Sequence, residues 1–140
     1  MTSMTREQRD AFLREPRIAT LVTLNEDGSP NALPLWYDWD GETLRMFSQR
    51  DTGKVRRLER DPRACVSVAD PVGAFEAWVT VEGRVAIEDE GGQALALRLV
   101  ERYYAPERAE RTIRTWSQTE GWVLLELTPT RIRSYLTDMA

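Results

Sequence analysis

A chain of 140 residues has room for one domain with a real core and hardly for two. Apolar and charged fractions of 41% and 30% are those of a globular protein and argue against wholesale disorder. The formal charge of −4 and the pI near 5.0 exclude a general binder of nucleic-acid backbones.

Taken in chain order, Thr5–Arg14 reads as a short helix with Thr5 as N-cap and Phe12 and Leu13 turned inward, stopped by Pro16. A meander follows. Ile18–Leu24 is a β-branched-rich strand, Asn25–Pro30 is dense turn chemistry, and Asn31–Asp38 is a second strand. Pro34 removes a ladder donor there, which predicts an edge, a bulge or an interruption. Asp40-Gly41 turns into a third strand, Thr43–Ser48. Thr52 is placed to cap a helix over Gly53–Arg60, with Val55 and Leu58 on its buried face.

Ala64–Asp70 and Ala77–Ile87 return to strand around a Pro71-Val72-Gly73 turn, and Gly83 predicts a bulge or sharp bend. Gly91-Gly92 opens a helix whose Leu95, Leu99 and Tyr103 recur at helical spacing, and a second helix spans about Pro106–Trp116. Trp122–Leu127 and Arg131–Leu136 read as two closing strands. The expected architecture is a single mainly β (α+β) domain over residues 1–140. It is a small barrel of about six to seven antiparallel strands with peripheral helices.

The inventory of reactive side chains is short. Without histidine, triads, His-based acid–base catalysis and common zinc sites are out of reach, so no metal is expected. Cys65 has no partner in the chain, reads as a small buried apolar residue, and fits a reducing, cytoplasmic setting. No run approaches the roughly 20 apolar residues of a membrane span, and the charged opening Met1–Arg14 lacks a signal peptide's apolar core. A cofactor is therefore expected to carry any difficult chemistry.

The segment Ser48-Gln-Arg-Asp-Thr-Gly-Lys54 puts hydroxyls, Arg50 and Lys54 around a helix N-terminus, an arrangement suited to an anion. Gly53 would let a ligand come close to the backbone. Residues 50–60 carry +3, so the remainder of a −4 chain carries −7, a basic island suggesting one anionic ligand group. The same pattern is equally read as the solvated face of an amphipathic helix. Of nineteen basic residues only Lys54 is a lysine.

Ile18-Ala-Thr-Leu-Val-Thr, Asp27-Gly-Ser-Pro, Pro34-Leu-Trp-Tyr, Asp40-Gly, Ser48-x-Arg-x-Thr-x-Lys54-x-x-x-Leu58, Asp61-Pro-Arg, Ala77–Val85 and Leu127–Arg133 occur in one order and spacing. In that order they resemble the pyridoxamine 5′-phosphate oxidase-like superfamily, and within it the flavin/deazaflavin oxidoreductases of the F420-dependent B group. The resemblance implies a split β-barrel homodimer with cofactor grooves at the interface. It implies a cofactor phosphate held by Ser48, Arg50, Thr52 and Lys54, and a ring system near Pro34, Leu35, Trp36 and Phe47. Arg57 stands where many relatives carry asparagine, beside the phosphate residues.

Coenzyme F420, whose tail carries a phosphodiester and several glutamates, is the implied cofactor, and Arg56, Arg57 and Arg60 would suit that tail. FMN is the alternative. The implied activity is hydride transfer between reduced deazaflavin and a small conjugated or oxidised organic substrate. The other readings are an FMN oxidoreductase and a non-catalytic flavin, deazaflavin or tetrapyrrole binder. The catalytic proton donor is not assigned; Tyr37 and water are the candidates. Trp36 divides evenly between cofactor contact and packing; packing is favoured over a ring contact for Tyr37 and over reaching the active groove for Tyr103 and Tyr104, and Trp78, Trp116 and Trp122 read as core or interface residues.

Overall fold

The computed structural model describes residues 2–137. Its elements are α1 (Arg6–Arg14), β1 (Ala19–Leu24), β2 (Pro30–Leu35), β3 (Asp38–Trp39), β4 (Leu44–Gln49), α2 (Gly53–Arg60), β5 (Arg63–Ala69), β6 (Ala77–Glu88), α3 (Gly92–Tyr103), α4 (Pro106–Ser117) and β7 (Trp122–Leu136). The strands form one antiparallel sheet in the order β2-β1-β5-β6-β7-β4-β3. Its two edge strands, β2 and β3, are joined through Trp36 and Tyr37 alone, so the sheet curls until its edges approach each other at that dipeptide. The result is a split barrel with peripheral helices.

Alternation along the strands fills the barrel. Leu21, Val66, Val68, Val79, Val81, Leu44, Met46, Val123, Leu125 and Leu127 point inward, and Phe12 and Leu13 of α1 and Val55 and Leu58 of α2 close the ends. α3 packs on β4 and β7, and α4 packs on α3. These two strands, whose inward residues lie in the core, are thus flanked by α3 and α4 on the opposite face.

Three features differ from the sequence expectations, while the bulge at Gly83 and the edge position of Pro34 agree with them. The second strand is broken: β2 ends at Leu35 and β3 resumes at Asp38, with Tyr37 between them buried in the core at 1% exposure. The two closing strands are one, β7, running through Thr128-Pro129-Thr130. The register shift at Glu82/Gly83 absorbs the extra residue, and Thr130 Oγ1 donates to Glu82 O at 3.2 Å. Gly83 is required there, since a Cβ would sit 2.1 Å from Thr128 O. Cys65 is only half-buried, on the outward face of β5, where burial and then the charge of Glu82 raise its thiol pKa. Pro34 lies on an edge strand, opposite Thr20, as the missing donor requires.

Candidate functional site

A cleft of about 520 Å³ opens where the two edges of the sheet part, and it is lined from β2, β4, the start of α2 and the α3–α4 hairpin. Its floor is Leu33, Pro34 and Leu35 of β2 and Phe47, Ser48 and Gln49 of β4. Trp36, Tyr104, Trp116 and Trp122 form an aromatic wall. Trp36 is held by Tyr103, stacked at 4.8 Å with planes 8° apart, and by the edge of Tyr104 at 4.8 Å. Trp116 meets Phe47 at 5.7 Å and Trp122 at 5.3 Å, which fixes α4 over the outward face of β4.

The opposite end is polar. Ser48 Oγ donates to Gln49 O at 2.8 Å, and Thr52 Oγ1 donates to the same carbonyl at 3.0 Å. The Thr52 side chain therefore makes no capping bond to α2, contrary to the expected N-cap. The first N–H groups of α2 are left without that acceptor, and no acidic residue occupies its first turn.

Lys54 lines the cleft half-buried, and among the described residues no hydrogen bond or ion pair engages its ammonium. Burial, and after it the charge of Arg57, holds its pKa below the ordinary lysine value. The free protein thus pays to keep a cation beside an uncapped helix start, which is what a site for an incoming anion requires.

The residues singled out from sequence separate into two groups. Pro34, Leu35, Trp36, Phe47, Ser48, Thr52 and Lys54 meet around the cleft. Arg50 and Arg57 lie outside its lining. The Arg50 guanidinium is committed to Asp89, and Arg57 Nε donates to Thr23 Oγ1 at 2.8 Å. Arg56 pairs with Asp51 at 2.8 Å, and Arg60 reaches Leu24 O at 3.4 Å. The space beside Gly53 belongs to Arg57, whose Nη1 would be 3.0 Å from a Cβ there.

Tyr37 is not placed to donate a proton into the cleft. Its hydroxyl is buried, donates to Glu15 O at 3.2 Å, and is held far above the ordinary phenol pKa by burial. Trp116, Trp122, Gln49, Thr115 and Thr119 complete the cleft and were not assigned to it from sequence, whereas Tyr104, for which packing was the favoured of two readings, lines it as well. The aromatic density of the Tyr103–Trp122 stretch was the available signal. No group of three or more His, Cys, Asp or Glu side chains among the described residues is arranged to hold a metal ion. No helix among them is long and apolar enough to cross a membrane.

These features fit a phosphorylated, planar ligand: aromatic walls at one end, a free cation and uncapped N–H groups at the other. A family model described as pyridoxamine 5′-phosphate oxidase matches residues 5–136. The F420H(2)-dependent biliverdin reductase of Mycobacterium tuberculosis is 30% identical over 107 residues, covering 74% of this chain and 75% of that protein. A solved structure described as an F420 reductase is 28% identical at a TM-score of 0.71, covering 88% of this chain and 94% of that one. A conserved hypothetical protein of Mycobacterium tuberculosis superposes at a TM-score of 0.76 with 26% identity, over 98% of this chain and 91% of that one. The split barrel, its cleft and the family match agree: the chain belongs to the pyridoxamine 5′-phosphate oxidase family.

Proposed function

We propose that the protein is an F420-dependent reductase that binds the deazaflavin in this cleft and passes its hydride to a small conjugated or oxidised organic substrate. The observation that carries the reading is Lys54, an unpaired, half-buried cation beside the uncapped start of α2 at the polar end of an aromatic cleft. The relatives named for F420 favour deazaflavin over FMN.

In this reading Lys54, Ser48, Thr52 and the first N–H groups of α2 hold the phosphate. Pro34, Leu35, Trp36 and Phe47 bound the ring system, with Trp116 and Trp122 excluding water from above. When bound, the cofactor supplies the hydride; the chain supplies placement, through walls pinned by Tyr103, Tyr104 and α4. Arg50 and Arg57 act at one remove, Arg57 by raising the local positive potential around Lys54. The protein acts as a homodimer in the cytoplasm, a setting that suits its one unpaired cysteine.

Titrating the purified protein with F420 and with FMN, followed by ligand fluorescence, tests this. Expected is a preference for F420 that falls about 10- to 100-fold in Lys54→Ala, the range of a lost charge-assisted contact. A preference for FMN moves the protein to the flavin-dependent oxidoreductases of the same fold. Tight binding without turnover of any acceptor, including a linear tetrapyrrole, makes it a carrier.

A further inference from the structure

Among the described residues three buried side-chain polar atoms have no hydrogen-bond partner: Arg9 Nε, Asn31 Oδ1 and Gln49 Nε2. Only Gln49 lines the cleft. An amide N–H shielded from water and left unpaired costs free energy, so each such group in a folded protein calls for a reason.

The reason lies in how the chain holds this side chain. Gln49 is the last residue of β4, opposite Trp122 of β7, and its backbone carbonyl is fixed by both Ser48 and Thr52. Arg50 N–H donates to Gly121 O at 2.7 Å, which locks the strand end against the start of β7. By the two-residue period of a strand, Gln49 shares its face with Phe47, the face that Trp116 and Trp122 cover. Its Oε1 lies against Gly121, at 3.4 Å from where a Cβ would be. The carboxamide nitrogen is buried and finds no acceptor among the described residues. Gln49 lines the same cleft as Lys54, and its carbonyl, which takes hydrogen bonds from Ser48 and Thr52, ties it to the polar residues there.

We infer that Gln49 is a specificity-determining residue of this cleft, its Nε2–H group donating to an oxygen of the ligand's phosphorylated arm alongside the Lys54 cation. The inference rests on the proposed function and deepens it. A carboxamide adds a donor without adding charge, so it reads the position of an acceptor oxygen while Lys54 supplies the attraction.

The test uses F420 titrations and thermal melts of the wild type, Gln49→Leu and Gln49→Glu. Gln49→Leu should bind F420 about tenfold more weakly, while the ligand-free variant melts at or above the wild-type temperature, because it no longer buries an unpaired donor. Gln49→Glu should lose more, since its carboxylate repels the ligand's phosphate. In the wild type, the Gln49 side-chain amide resonances should shift on adding F420, a readout that no variant can confuse with misfolding. Equal F420 affinity in Gln49→Leu, unmoved resonances, or a clearly lower melting temperature of the free variant would overturn the inference alone. If the wild type binds neither F420 nor FMN, the proposed function falls and the inference with it.

Discussion

At the scale of single residues, Lys54 makes the proposed function depend on pH in a definite direction. Its pKa is lowered from 10.5, chiefly by burial and then by Arg57. The charged form that an anion needs is therefore lost at lower pH than for a solvated lysine. F420 affinity should fall as pH rises through that lowered value, and binding below it should raise the pKa. Stability runs the other way: the unfolded chain holds the proton more tightly, so folding gains as pH rises from the lowered value towards 10.5. Titrations across about pH 7 to 10 on wild type and Lys54→Arg check this, because arginine keeps its charge throughout. A slope shared by both proteins would assign the effect to another group. The residues of this end were legible because Ser48, Thr52 and Lys54 lie close together in sequence. What Arg50 and Arg57 do was not legible, because their partners Asp89 and Thr23 come from distant strands and loops.

At the scale of elements, β7 and its partner carry the sharpest constraint. A methyl group on Gly83 would sit 2.1 Å from Thr128 O and 2.9 Å from Thr128 C, both backbone atoms, so it can be admitted only by prising β6 from β7. Gly83→Ala should cost about 2–4 kcal/mol and lower the melting temperature by about ten degrees. A variant melting within a degree or two of wild type would show that the bulge relaxes freely. The bulge itself was readable from a glycine inside a strand pattern. The continuity of β7 was not, since Thr128-Pro129-Thr130 looks like a turn until Pro129 is seen opposite Gly83. The same limit hid α4 from the site. Its periodicity and Pro106 start were plain, but that Trp116 roofs Phe47 depends on the α3–α4 hairpin docking on β4 and β7. Likewise, Thr52 occupies the N-cap position but spends its hydroxyl on Gln49 O, a competition among local acceptors that spacing does not resolve.

At the scale of the whole molecule, the helices are unevenly distributed. α1 and α2 fill the barrel's core and α3 lies on β4 and β7, leaving the outward face of β5 and β6 without a covering helix. That face carries Cys65, Ser67, Thr80 and Glu82, with Trp78 towards one end of the strands, stacked on Tyr135 at 6.0 Å. The proposed homodimer would place its second copy on this uncovered sheet face. Light scattering should therefore report twice the 16.1 kDa chain mass, and Trp78→Glu should shift the particle to one chain. The variant also separates two ways of building the site. Trp78 does not line the cleft, so loss of F420 affinity together with the dimer would mean that the partner chain completes the site. Retained affinity in a single chain would mean that the cleft between the sheet edges is sufficient, with dimerisation serving stability alone. A wild type that is itself monomeric would remove the homodimer from the proposal and leave Lys54 and the aromatic wall as the whole of the binding machinery.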